Sequence, residues 1–229
     1  MENNKTSLSY PEAYKVYMGR SFPNMVAQLS LFAVGMFLCF KLVLTFLDVI
    51  EGDDINNDTD QLVNDFISTI FCGIIVALRM SSTFTKSIPG GKFFRTVKGG
   101  FDTFKKAHYT MAAEGITVII IFSIVIGIFD AVGFAPLRFG AASCVSICIF
   151  VTLARAVSSI FAAMKNTIMR LLVSMIVNYL ISAMGIVSLI LTDGKLCAFH
   201  IAAAAAAVVL TVVSEIAVVT SYRKKHWDN

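Results

Sequence analysis

Six long apolar runs take up most of this chain: about Met25 to Val49, Leu62 to Met80, Met111 to Phe134, Gly140 to Met164, Ile168 to Leu191 and Cys197 to Tyr222. Runs of this length leave few folds open. Hydrocarbon offers no water to backbone N–H and C=O groups, so a spanning segment must satisfy them internally, as a helix of about 20 residues does. With 57% hydrophobic and 15% charged residues among 229, the chain carries more apolar surface than a soluble domain of its size can hide. The fold expected is all-α: a polytopic membrane protein with six transmembrane helices in a single domain, residues 25–222. A cytoplasmic or interfacial segment, 1–24, precedes it, and a basic tail, 223–229, follows.

Charge sets the orientation. Between the second and third runs lie Arg79, Lys86, Lys92, Arg95, Lys98, Lys105 and Lys106 against one acid, Asp102. Loops rich in Lys and Arg stay on the cytoplasmic side of a bilayer. The loop between the first and second runs has the opposite character, with Glu51, Asp53, Asp54, Asp58, Asp60 and Asp65 and no Lys or Arg between Lys41 and Arg79. It goes out, and six spans then leave both termini in the cytoplasm of a cell whose plasma membrane holds the protein. The net charge of +4 belongs to this topology, and no nucleic-acid partner is expected. The acidic loop partly fits a calcium-loop spacing from Asp54, but Thr59 stands where the turn demands Gly and Asp65 where a bidentate Glu is needed.

Two amphipathic stretches flank the spans. Near the N-terminus Tyr10, Tyr14, Tyr17 and Met18 share one helical side, with Glu12, Lys15 and Arg20 elsewhere, which suits a helix in the membrane interface. No cleavable leader is apparent, so the first span is expected to act as the insertion signal. In the basic loop, Pro89-Gly90-Gly91 forms a turn. Phe93, Phe94, Val97, Phe101 and Phe104 then recur every three or four residues, with Arg95 and Lys98 on the other side. A short amphipathic cytoplasmic helix follows, weakened at Gly99-Gly100, and its aromatic stripe lies either on lipid headgroups or in a groove of a cytoplasmic partner.

Polar residues inside the spans are the other candidate functional groups, because each costs a few kcal/mol unless paired or hydrated, about 2.5 to 3.5 by insertion scales. Glu114 and Asp130 sit near span ends, where the interface accounts for them. Arg155 and Glu215 fall at similar depth, which admits a salt bridge or, with Asn178, a polar path; Asn178 is expected to bond across helices. Lys41 is expected to snorkel to the headgroups, and Ala203 and Ala207 to form a close helix contact. The five cysteines are odd in number and sit mostly in apolar runs, Cys144 and Cys148 on one helical face, which reads as packing. The chain has no HExxH, no Gly-x-Ser-x-Gly and no Gly-x-x-x-x-Gly-Lys-Ser/Thr. No catalytic residue, metal or cofactor is therefore expected, and any ATP used would be hydrolysed by another chain.

With an interfacial N-terminal helix, six spans and a basic helix between the second and third, the whole chain resembles a small bacterial permease subunit of the ABC-2 transporter type. That resemblance implies that residues Ser87 to Lys106 dock on an ATPase subunit as a coupling helix, through Phe93, Phe94, Arg95, Val97, Lys98, Phe101 and Phe104. It implies that Tyr10 to Phe22 is the elbow helix, and that two permease subunits, identical or not, form a path for a peptide, lipid-like or drug-like substrate. The turn from Asp193 to Leu196 departs from many family members, which carry re-entrant helices there. Two other readings stand beside it: a solute-binding membrane subunit of a vitamin-type uptake system, and a non-transporting assembly or immunity protein.

Overall fold

The computed structural model describes residues 8–51, 58–83, 99–161 and 166–226. Within them lie seven helices and no strand: α1 (Tyr10–Met18), α2 (Phe22–Glu51), α3 (Asp58–Thr83), α4 (Gly100–Ala131), α5 (Ala141–Ile160), α6 (Thr167–Leu191) and α7 (Ala198–His226). Six of them, α2 to α7, are long and apolar enough to cross a membrane. The chain is a polytopic helical membrane protein.

Helix α1 starts where Glu12 reaches back to accept from both the N–H and the hydroxyl of Ser9, at 2.9 and 2.7 Å, so a first-turn acid satisfies the helix entry. These bonds hold the Glu12 carboxyl below its ordinary range. Gly19 closes the helix, its N–H returning to the Lys15 carbonyl at 2.8 Å. A sharp break follows, and α2 leaves along the bundle.

Helix α4 is the long strut. Its 32 residues span about 48 Å at roughly 1.5 Å per residue, well beyond a hydrocarbon core of about 30 Å. It begins eleven residues before the apolar run at Met111, directly after Gly99, whose φ of +83° places it in the left-handed region open to glycine. Phe101 and Phe104 thus belong to the foot of α4, continuous with the span, and Gly99 separates them from the residues before it. Against this foot packs α1: Tyr14 and Tyr17 meet Phe104, Ala107, Met111 and Tyr222 of α7 in one apolar cluster. The N-terminal helix and the last turns of α7 therefore share one end of the bundle, here called the terminal end.

At the far end α4 and α5 form a tight antiparallel pair. The carboxylate of Asp130 accepts from the Leu137 N–H at 2.8 Å, and Asn64 of α3 donates to the Pro136 carbonyl at 2.9 Å, so the connection is held from both sides. Helix α5 packs on α7, α6, α3 and α4 and is the hub of the bundle, while α2 and α7 stand at its edge. Ala203 and Ala207 are both buried, on the helix that packs most extensively against α5. The main apolar core joins Phe37 of α2, Cys72 and Val76 of α3, Ile119, Phe122 and Ile126 of α4, and Ile147 and Val151 of α5. Lys41 does not snorkel: it is 5% exposed, because the face of α2 that carries it is the one covered by the rest of the bundle.

Candidate functional site

Two clusters of buried charge stand at the terminal end, both built on α4. In the first, Glu114 is fully buried. It accepts from Arg79 of α3 through both guanidinium positions, Nε at 2.7 Å and Nη2 at 3.1 Å, and from the Tyr14 hydroxyl of α1. Arg79 also donates to the Tyr14 oxygen at 3.4 Å. The position of Glu114 near a span end had suggested a headgroup contact. It is instead enclosed by protein, and so needs protein partners, since an unpaired carboxylate in such surroundings is prohibitively costly. Burial, and next the adjoining Glu114 carboxylate, raise the Tyr14 phenol well above its ordinary titration range.

In the second cluster Glu215 of α7 bridges two helices. Arg155 of α5 donates to its Oε1 at 2.7 Å, and His108 Nε2 of α4 lies 2.6 Å from its Oε2. All three side chains are no more than about 5% exposed. The Arg155 side chain crosses α4 directly over Gly115: a Cβ there would lie 2.8 Å from Arg155 Nε, so glycine at this position makes room for the ion pair. The His108 ring stacks on Phe104 at 5.9 Å, and Phe104 on Tyr222 at 4.6 Å, so the charge cluster rests on the aromatic one.

Asn178 stands apart from this pair. It donates to Ser158 Oγ of α5 at 2.9 Å and to the Ser174 carbonyl of its own helix at 2.7 Å, the cross-helix bond its type leads one to expect. It lines a groove between α3 and α6 of about 280 Å³, with Thr69, Gly73, Ile74, Tyr179 and Ser182. Asn178 Oδ1 and Ser182 Oγ, both deeply buried, have no hydrogen-bond partner among the described residues.

Of the candidate coupling residues, Phe93, Phe94, Arg95, Val97 and Lys98 lie outside the described residues. Phe104 is completely buried between Tyr17 and Tyr222, and Phe101 is half-buried with the Arg223 guanidinium 5.4 Å from its ring centre. These two rings face the interior of the terminal end. Three members of the charge clusters, Tyr14, Arg79 and His108, were not singled out from the sequence as partners of the buried acids. One signal was available: a carboxylate deep in an apolar run requires a donor, and Arg79 is the cation closing the preceding span.

At the far end His200 acts as a helix cap. Its Nδ1 accepts from the Cys197 N–H at 3.2 Å, the part a Glu or Gln usually plays three residues into a helix. Ser188 Oγ donates to the Gly185 carbonyl at 2.6 Å and so is left to accept from His200 Nε2 at 3.0 Å, which assigns the ring proton to Nε2. Among the described residues no group of three or more His, Cys, Asp or Glu side chains could hold a metal ion. Comparison with protein-family models, with curated proteins and with solved structures finds no match to this chain.

Proposed function

We propose that the chain is the membrane-spanning permease subunit of an ATP-binding-cassette transporter of the ABC-2 type, driven by an ATPase carried on a separate chain. One observation supports this reading above the others: α3 and α4, the helices that lead into and out of the basic loop, are tied to each other and to α1 by the Tyr14–Glu114–Arg79 cluster. A force applied to that loop acts on a braced three-helix unit, which is what a coupling loop requires. In this reading the terminal end faces the cytoplasm, as the loop's positive charge demands, and two such subunits stand side by side. The groove between α3 and α6, apolar with two orphaned polar atoms, then suits a lipid-like or otherwise apolar substrate.

The test is affinity purification of the tagged chain in mild detergent, native against Phe94→Asp. Phe94 is chosen over Phe101 and Phe104, whose rings are packed against Tyr17, Tyr222 and Arg223 and would report on folding. Co-purification of an ATPase subunit that Phe94→Asp abolishes, with the monomer otherwise stable, supports the reading. Absence of any ATPase across several mild detergents overturns it and returns the solute-binding and assembly-factor readings to the front.

A further inference from the structure

A wide groove opens between α4 and α5, on the side facing away from the charge clusters. It measures about 520 Å³, within the range of about 300 to 1,000 Å³ typical of small-molecule sites, and its walls are Ile120, Ile124, Gly127, Val145 and Ile149 together with Cys144 and Cys148. Both thiols are half-buried: they pack against the main apolar core, as their place in an apolar run suggested, and also reach this wall. The groove runs along α4 from Ile120 to Ala131, eleven residues or about 16 Å, close to half of a hydrocarbon core of about 30 Å. It therefore reaches from the far membrane surface to the middle of the bilayer.

Two polar groups interrupt this apolar trough. At its far mouth stands Asp130, which uses Oδ1 to hold the Leu137 N–H and directs its other oxygen towards Gly140. Asp130 is the one charged side chain among the described residues that line this groove; the neighbouring Asp65 is itself buried, 1% exposed, and does not line it. Two helical turns deeper, about 10 Å down the same face of α4, lies Ser123, which is 3% exposed and whose hydroxyl neighbours the Cys148 thiol of the facing wall.

We infer that the α4–α5 groove binds a membrane-partitioned amine: an elongated apolar molecule whose ammonium group pairs with Asp130 at the far surface, and which can carry a second hydrogen-bonding group about 10 Å along its length to meet Ser123. The Asp130 carboxylate at the mouth disfavours anionic amphiphiles of the same length. The one-leaflet depth matches a single chain entering from the far side, and a second helix would need a longer seat. The site is independent of the permease reading, since none of its residues belongs to the loop, to α1 or to the charge clusters.

The test uses the full-length chain in phosphatidylcholine nanodiscs, with binding of dodecylamine, dodecanol and dodecanoic acid measured against empty nanodiscs. Dodecylamine is expected to bind at one site, above its partition into empty discs, and dodecanoic acid more weakly. Asp130→Asn keeps the side-chain oxygen that caps Leu137 and removes only the charge, and is expected to weaken dodecylamine about tenfold. Gly127→Leu fills the trough, its new Cβ meeting only Cys144 Sγ at 3.3 Å, and is expected to abolish specific binding of the amine. Equal binding of amine and acid, or unchanged affinity in Asp130→Asn, would show an apolar crevice occupied by any lipid tail and overturn the assignment. So would a dimer in the nanodisc that Gly127→Leu disperses, because a second copy would then be the occupant.

Discussion

Replacing Tyr14 by Phe removes one oxygen from the first charge cluster and little else, since the ring keeps its edge contact with Phe22 at 6.0 Å. The lost bond runs to a carboxylate, and such bonds are worth about 1.5 to 3 kcal/mol. Arg79 still donates twice to Glu114, so the carboxylate is not stranded and the cost falls near the lower end. About 1.5 to 2 kcal/mol corresponds to roughly a tenfold to thirtyfold larger population in which α1 has left the foot of α4. Amide hydrogen exchange at Ala13, Tyr14 and Tyr17, followed by mass spectrometry in detergent or nanodiscs, reads that population directly. The same cluster gives a pH dependence with a definite sign. Tyr14 holds its proton more tightly when docked than when free, so docking is fully favoured below the free phenol value of about 10 and is lost as the pH rises through the higher docked value. The native chain should release α1 at high alkalinity, and Tyr14→Phe should not show that step. Exchange rates in α1 that match between native and Tyr14→Phe protein at neutral pH would refute the claim that this bond docks the helix.

Two further substitutions probe the other clusters. Gly115→Ala pushes a Cβ to 2.8 Å from Arg155 Nε and should displace the guanidinium from Glu215, lowering stability by about 1 to 3 kcal/mol in a denaturant titration, whereas a surface Gly→Ala in a helix would raise it. His200→Gln retains an acceptor for the Cys197 N–H and should leave the melting temperature nearly unchanged, while His200→Ala removes it and should cost about 1 kcal/mol.

The spans were legible because bilayer thickness imposes a length on apolar runs, and α2 to α7 cover all six of the expected ones. Their ends were less so. Hydropathy is silent outside the hydrocarbon, yet a helix continues as long as its backbone bonds do, and α4 therefore starts at Gly100 where the apolar pattern starts at Met111. Depth counting along the spans admitted a pair between Arg155 and Glu215, beside the alternative of a polar path, because two helices in one slab share a common axis of measurement; the pair is now seen at 2.7 Å. It could not supply His108 as the third member, because that histidine precedes the apolar run and seemed to lie in the loop. Nor could it pair Glu114 with Tyr14, 100 residues away, since α1 lies outside the slab and its docking position is decided by tertiary packing alone.

The placement of the two clusters on α4 has a mechanical consequence. His108 and Glu114 are six residues apart, about 9 Å along the axis and roughly 120° apart around it, so one faces α5 and α7 and the other faces α1 and α3. Glu114 accepts from Arg79 and Tyr14, and His108 Nε2 lies 2.6 Å from the buried Glu215 carboxylate. Sliding α4 by a single turn past either neighbour would strand a carboxylate in the interior, at a cost of several kcal/mol. Small relative shifts along this axis are thus resisted on both sides, and α4 transmits displacement as a rigid strut. Any motion that enters at the foot of α4, where the chain emerges from the basic loop, must move α1 and α3 through Glu114 and reach α5 and α7 through His108 and Glu215. The grooves between α3 and α6 and between α4 and α5 lie on the far sides of those same helices. The two ion-pair clusters and α4 thus form the contiguous contacts that join the helices lining either groove to the helix ends flanking the loop.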